Sequence, residues 1–168
     1  QFIGVGKPYT FPVDESFSNG RLNLNPWSYK NVQGSLGWET MRSDDGGGSP
    51  QDNDRGFVKF TNKWGESCVD SRLITPAVSM EGTKKPTFSF YMFHWEANSV
   101  ASDNKQTKLM IEVAPDGGDF EEPIDTFTAA NDKYGWVEHR VSLEKYKNCK
   151  YILVALRGYT NNDWMCYY

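Results

Sequence analysis

Short apolar runs alternate with polar turns along most of this chain. The stretch "SRLITPAVSMEGTKKPTFSFYM" at 71–92 shows the pattern, because an apolar run ends at Pro76, a polar turn follows, and a second apolar run begins at Pro86. Turn-forming residues also separate the other apolar runs. The pattern predicts a series of β-strands at 56–60, 67–75, 87–95, 107–114, 135–143 and 150–159.

Helix signals are almost missing from the sequence, since no apolar period of 3.6 residues persists for three turns. Short strands without helical crossovers favour an antiparallel β-sandwich. A chain of 168 residues suits one domain, because it buries roughly two thirds of its unfolded surface on folding. We therefore predict a single all-β domain over 1–168, in which Pro8 and Pro12 hold the leading segment 1–13 extended. A weaker strand signal lies at 37–41.

Alternation within two of the strands assigns their faces. In 107–114, three aliphatic residues alternate with Lys108, Met110 and Glu112, which predicts a strand with one wet face. In 150–159 both alternate sets are apolar. This second strand is therefore predicted to be central in its sheet and covered on both faces.

The strand 87–95 has two apolar faces of different character. Phe88, Phe90 and Met92 form one face, which suits a core. The opposite face is mostly aromatic. Either a loop or a neighbouring strand covers these rings, or they form an exposed platform for stacking. The second face consists of Ser89, Tyr91, Phe93 and Trp95.

Charge and composition narrow the possible partners. The formal net charge is -4 and the pI about 5.2, which argues against nucleic acid or an anionic membrane as partner. No run of about 18 apolar residues is long enough to span a membrane. Aromatic residues make up 15% of the chain, more than a core of this size usually holds, so some rings are expected at the surface. Three cysteines, Cys68, Cys149 and Cys166, allow at most one disulfide, for which Cys149 with Cys166 is a conceivable pair.

Several segments together resemble a known family. In order they are "FPVDESFSNG" (11–20), "PWSY" (26–29), "GW" (37–38), "SRLITPAVSM" (71–80), "KPTFSFYM" (85–92), "LMIEVAPDGGDFEE" (109–122), "YGWVEHRVSL" (134–143) and "YILVALRGY" (151–159). Their order is similar to that of the jelly-roll domains of secreted bacterial proteins called choice-of-anchor J and cleaved-adhesin domains, and more distantly to that of MAM domains. The similarity covers nearly the whole chain.

The resemblance implies a jelly-roll sandwich in a secreted or cell-surface bacterial protein, often as one module of a longer chain, with a role in adhesion or glycan binding. In this family "LITP" ends a strand at one edge of the sandwich, and "P-x-F-S-F-x" begins a long central strand. Members usually continue into a strand of the form I-D-[DN]-[IV]. This chain stops at Tyr168, so we expect that the C-terminal strand is truncated.

Catalytic motifs are not prominent in the sequence. Its two histidines, His94 and His139, lie inside strand patterns, and neither Gly-x-Ser-x-Gly nor His-Glu-x-x-His occurs. Sandwich glycosidases need two carboxylates across a cleft, typically on one strand as Glu-x-Asp-x-x-Glu. The nearest segment, "EPIDTF" at 122–127, lacks the second Glu. We predict a non-catalytic protein, with carboxylates on different strands as the remaining route to an enzyme.

A structural calcium ion is the predicted cofactor. Ca²⁺ takes six to eight oxygen ligands, which acidic loops and backbone carbonyls supply. The loop "SDDGGGSPQDNDRG" at 43–56 is acidic and glycine-rich but lacks EF-hand spacing, and a solvated acidic turn is the competing interpretation. The family resemblance implies a further contribution from the "E-x-F" position near Phe17, where calcium sites often lie. The candidate ligands are Asp14, Glu15, Asp44 and Asp45.

Exposed aromatic rings are the predicted ligand-binding groups. The apolar face of a sugar stacks on a flat ring, while neighbouring polar side chains hold its hydroxyls. The first candidate group is Trp164 with Asn161, Asn162 and Asp163, and the second is Trp95 with Tyr91. For each tryptophan, burial in the core is the competing interpretation.

These features predict a non-catalytic adhesion or carbohydrate-binding module whose partner is a glycan or a host or cell-surface protein. Two alternatives remain at this point. The domain is a structural spacer that positions a neighbouring catalytic domain, or it is a glycan-active enzyme.

Overall fold

The architecture is all-β. The computed structural model describes residues 7–17, 27–34, 37–42, 56–61, 68–96, 107–128, 130–131, 134–160 and 166–167. Its strands are β1 (Ser28–Gln33), β2 (Trp38–Arg42), β3 (Gly56–Thr61), β4 (Val69–Ile74), β5 (Val78–Ser79), β6 (Thr87–Glu96), β7 (Lys108–Pro115), β8 (Asp125–Thr128), β9 (Ala130–Asn131), β10 (Gly135–Ser142), β11 (Tyr151–Thr160) and β12 (Cys166–Tyr167). One 3-10 helix, Glu144–Tyr146, connects β10 to β11. All six predicted strands are confirmed, and the weak signal at 37–41 corresponds to β2.

The largest sheet has the strand order β1-β4-β11-β7-β8, and β5 also pairs with β11. All of these pairings are antiparallel. The predicted central position of 150–159 is confirmed, because β11 lies between β4 and β7. The resemblance places the strand that ends in "LITP" at an edge, but here β1 lies outside β4.

Two three-stranded sheets complete the described fold. One has the order β10-β6-β9, in which β10 and β6 are antiparallel from Gly135 opposite His94 to Ser142 opposite Thr87. The short β9 runs parallel to β6 at Trp95. The other sheet has the order β12-β3-β2 and is antiparallel throughout.

The main core lies between the largest sheet and the β10-β6 pair. Side chains of β4, β7 and β11 meet side chains of β6 and β10 in one buried cluster, to which the 3-10 helix adds Tyr146. Full burial of one such aliphatic side chain contributes about 1.5–3 kcal/mol. The buried members are Leu73, Met80, Met92, Leu109, Ile111, Val113, Val141, Leu143, Tyr146, Ile152, Val154 and Leu156. The prediction of an antiparallel β-sandwich is confirmed, whereas its jelly-roll connectivity stays a prediction.

The leading segment pairs with the largest sheet through its backbone. Tyr9 forms a parallel bridge with Val78. Its N–H donates to the carbonyl of Ala77 at 2.8 Å, and its carbonyl accepts from the N–H of Ser79 at 2.7 Å. Tyr9 therefore lies beside β5.

The predicted wet face of β7 is wrong at Glu112. This residue is 1% exposed, although Lys108 on the same face is exposed. Ala114 on the same face of β7 and its neighbour Ala155 of β11 are also buried. The centre of this face is therefore covered. Burial of Glu112 is possible because two arginines pair with its carboxylate.

Two further observations bear on the sequence predictions. Cys149 is a free thiol, so the conceivable disulfide between Cys149 and Cys166 does not form. Among the described residues, no helix has the length and apolar character that crossing a membrane requires.

Candidate ligand-binding face

The outer face of the β6–β10 pair combines an exposed ring with charged groups. The antiparallel register places Tyr91 opposite Glu138 and Ser89 opposite Arg140. Residues directly opposite each other point to the same face, with Cβ atoms about 4.5–5.5 Å apart. Tyr91 is 45% exposed. Arg140 donates from Nε to Glu138 Oε1 at 2.9 Å, and its Nη2 lies 2.9 Å from the same oxygen.

An aromatic cluster continues this face toward the start of β10. Phe93 is buried beneath two rings that meet it edge to face, Tyr134 with a centroid distance of 5.4 Å and Trp136 at 5.5 Å. Trp136 also packs against Phe57 of β3 at 6.3 Å. The covering interpretation of the aromatic face is therefore correct for Phe93. Tyr134, at 63% exposed, leaves a second ring open to solvent beside it.

We call the group Ser89, Tyr91, Tyr134, Glu138 and Arg140 the tyrosine face. It offers two exposed phenol rings, a carboxylate acceptor and a guanidinium with five donors. Flat rings suit the C–H face of a pyranose, and the ion pair suits its hydroxyls. Paired strands hold four of these groups, and Tyr134 directly precedes β10, so little backbone ordering is needed on binding.

The structure describes the predicted ligand-binding residues unevenly. Tyr91 is exposed, which agrees with the platform interpretation of this face. The backbone of Trp95 lies in β6 opposite Ala130 of β9, and its side chain is outside the description. The other predicted group also lies outside the described residues: Asn161, Asn162, Asp163 and Trp164.

The predicted calcium ligands are likewise only half described. Asp14 is exposed, and Glu15 already accepts a hydrogen bond from the Phe17 backbone N–H at 2.7 Å. Asp44 and Asp45 lie outside the described residues. Within the described part of the chain, no group of three or more potential ligands comes together. The calcium site stays a prediction.

The inner face of the same strand pair carries both histidines. His94 Nε2 and His139 Nε2 are 2.8 Å apart, so one ring donates a hydrogen bond to the other. His94 is 2% exposed. The ring of His139 also contacts Phe90 and Phe127, with centroid distances of 5.5 and 4.4 Å. Burial lowers the pKa of His139 below its usual value, and the charge of Asp125 opposes this shift only in part.

The stability of the domain is expected to fall as the pH drops below the pKa of an ordinary histidine. Because the pKa of His139 is lowered in the folded chain, the unfolded chain binds its proton first, at about pH 6.5. The contribution of His139 to the free energy of unfolding therefore has its full value above that pH and decreases below it. Urea denaturation between about pH 7.5 and about pH 5.5 measures the effect. His139→Gln should flatten this slope, and an equal slope in both proteins would contradict the assignment.

A buried charge network on the largest sheet was not predicted from the sequence. Arg157 of β11 donates to Asp70 Oδ1 at 2.7 Å and to Glu112 Oε1 at 2.8 Å. Arg72 donates to Glu112 Oε2 at 2.6 Å, and its guanidinium lies 5.2 Å from the centre of the Phe120 ring. Hydrogen bonding to Asp70, and then to Glu112, raises the pKa of Arg157. The sequence feature that could have indicated this network is the presence of single charged residues, of both signs, within otherwise apolar strands.

No family model matches the chain, and no curated protein matches it. The resemblance to choice-of-anchor J and cleaved-adhesin domains therefore rests on the quoted segments and stays a prediction.

Proposed function

We propose that this chain is a non-catalytic carbohydrate-binding or adhesion module of a secreted or cell-surface bacterial protein, one domain of a longer chain. The observation that carries the proposal is Tyr91, an exposed residue near the middle of the β6–β10 pair with Glu138 directly opposite it. The proposal includes jelly-roll connectivity and a structural calcium ion. Its ligand is a glycan, free or on a cell-surface protein.

The chemistry of the tyrosine face supports sugar binding. Tyr91 is 45% exposed, so it forgoes part of the stabilisation that burial of its ring would provide. The adjacent ion pair between Glu138 and Arg140 is also exposed, so it adds little to stability by itself. Both features become useful when a ligand stacks on the ring and bonds to the charges.

The two histidines support a non-catalytic role. His94 and His139 bond to each other on the inner face, between phenyl rings of β6 and β8. Neither belongs to the tyrosine face. A general acid or base would have to reach a bound substrate directly or through one water molecule.

Replacement of Tyr91 by alanine is expected to weaken glycan binding. After a glycan array identifies a ligand, titration calorimetry should show a loss of about 1–3 kcal/mol, the scale of one stacking ring, with little change in melting temperature. The other predicted aromatics, Trp95 and Trp164, belong in the same series.

Tyr29→Ala is the matched control, because Tyr29 is 63% exposed but lies on β1 of the largest sheet. It should bind the glycan as the wild type does. Equal affinities for the Tyr91 and Tyr29 variants would remove the tyrosine face from the proposal. If no glycan binds to the intact chain, a structural spacer becomes the better explanation.

A further inference from the structure

Three cationic side chains form one row across the outer face of the largest sheet, the face that points away from the β6–β10 pair. The register places Lys30 of β1 opposite Arg72 of β4, and Arg72 opposite Arg157 of β11. The two arginines alternate along their strands with the core residues Leu73 and Leu156. Residues opposite each other share a face, and like charges at this spacing repel. The row is therefore destabilising unless anions lie between its members.

Carboxylates compensate this row from one end only. Arg157 bonds to both Asp70 and Glu112. Glu112 also accepts a hydrogen bond from Arg72 Nε at 2.6 Å, so its carboxylate bridges the second and third cations. Within the described part of the chain, Lys30 has no ion pair, and Nη1 and Nη2 of Arg72 have no acceptor. Three cations and two carboxylates leave one positive charge at the Lys30 end.

Arg72 is held in place but remains accessible. Its guanidinium carbon lies 5.2 Å from the centre of the Phe120 ring, and its side chain is 18% exposed. The ring and the Nε hydrogen bond fix the group, so its terminal nitrogens are oriented before an acceptor arrives. Lys30 opposite it is exposed. Glu121, which follows Phe120, pairs with a lysine of the 3-10 helix instead of with this row.

We propose that the carboxylate of an acidic sugar binds between Lys30 and Arg72, where it repeats the bridge that Glu112 forms between the two arginines. The one uncompensated charge suits a monoanion, and the planar fork of a guanidinium matches a planar carboxylate. Phe120 beside Arg72 is half-buried and offers an apolar surface to the C–H face of the sugar.

The ligand class is therefore a glycan that contains uronic acid. Its identification as a sugar rests on the proposed function, whereas the anion site does not. The new site and the tyrosine face lie on opposite sides of the sandwich, because the core separates the largest sheet from the β6–β10 pair. One domain would thus hold two glycan segments at once.

Calorimetric titration with an oligogalacturonate tests the site on the intact chain. The methyl ester of the same oligosaccharide is the matched neutral probe, since esterification removes the charge and keeps the sugar backbone. At about 0.15 M salt the acid should bind about tenfold more tightly than the ester. Raising the salt to about 1 M should remove most of this difference, because screening then acts over about 3 Å.

Variants of the two cations locate the bound carboxylate. Lys30→Gln should weaken binding of the acid about three- to fivefold, the effect of one exposed charge partner. Lys108→Gln is the matched control, because Lys108 is also exposed on the outer face. It lies on β7, three strand spacings or about 14 Å from β1, beyond the Debye length at about 0.15 M salt. Arg72→Lys keeps the charge but loses the fork, and should weaken binding about tenfold.

Three results would overturn the anion site. They are no binding of the acid, equal affinities for the acid and its ester, or equal losses in Lys30→Gln and Lys108→Gln. An oligoglutamate peptide that binds more tightly than the oligogalacturonate would overturn the assignment to a sugar and indicate an acidic protein partner. Circular dichroism verifies that each variant folds, and the exposed position of Lys30 keeps the test decisive if Arg72→Lys unfolds.

Tyr91→Ala separates this proposal from the proposed function. It should bind the oligogalacturonate as the wild type does, because Tyr91 lies on the other side of the sandwich. A loss in this variant without a loss in Lys30→Gln would place the acidic sugar on the tyrosine face and overturn the second site. If a neutral glycan binds and the acidic one does not, the proposed function stands and only the second site fails.

Discussion

Arg157→Ala should lower the free energy of unfolding by about 3 kcal/mol, at the lower end of the 3–5 kcal/mol observed when one partner of a buried ion pair is removed. Arg157 bonds to Asp70 and Glu112, whose side chains are only 8% and 2% exposed. Arg72 still neutralises Glu112 in the variant, so Asp70 is the carboxylate left without compensation. The lower end of the range applies because the Arg157 side chain is itself 25% exposed. Urea denaturation with a constant slope gives the difference.

Arg140→Ala is the matched control for this prediction. Arg140 also pairs with a carboxylate, but its side chain is 70% exposed, so its loss should cost about 0–1 kcal/mol. Asp70→Asn in the Arg157→Ala background should restore part of the stability, because it removes the uncompensated charge. If Arg157→Ala and Arg140→Ala lower the free energy of unfolding by the same amount, burial does not make the Arg157 network more important for stability than an exposed ion pair.

The core strands of this fold could be predicted because their buried faces carry apolar residues at alternate positions of the sequence. β11 carries apolar residues on both faces and is central in its sheet. In β7, aliphatic residues alternate with other side chains, which identified the core face correctly although burial extends to Glu112 and Ala114 on the other face. β1 was not predicted, because five of its six residues are exposed and its pairing with β4 depends on backbone hydrogen bonds. Two-residue strands such as β5 are too short for any periodic signal.

The candidate site was predictable only one residue at a time. Alternation in 87–95 placed Tyr91 on a second, mostly aromatic face. Its neighbours Glu138 and Arg140 could not be assigned, because cross-strand register depends on pairing over 45 or more residues of sequence. The same limit applies to His94 and His139, which are ordinary strand residues until the register brings them together.

Glu112 illustrates a different limit. Its place in the alternating pattern gave its face correctly, but not its burial. A carboxylate is buried only where partners compensate for lost hydration. Those partners, Arg72 and Arg157, come from two other strands, so no local pattern contains them.

Gly158→Ala is the other substitution expected to have a large effect, a loss of about 1–3 kcal/mol from overpacking. Gly158 lies on the inner face of β11, where the ring of Phe60 from β3 rests against its backbone. A Cβ atom at this position would lie 2.5 Å from Phe60 Cγ, well inside van der Waals contact. The ring has little room to move, because Phe60 is 3% exposed and packs on Trp38 at 5.4 Å.

The sign of this effect should reverse when the ring is removed. In a Phe60→Ala background the clash is relieved, because alanine has no atom beyond Cβ, and alanine in a strand interior is favoured over glycine by about 0.5–1 kcal/mol. Gly158→Ala should therefore be neutral or stabilising there, which a double-mutant cycle by urea denaturation measures. An equal loss of unfolding free energy in both backgrounds would contradict this explanation. The close packing of Phe60 from β3 on β11 would then not be the reason for a glycine at position 158.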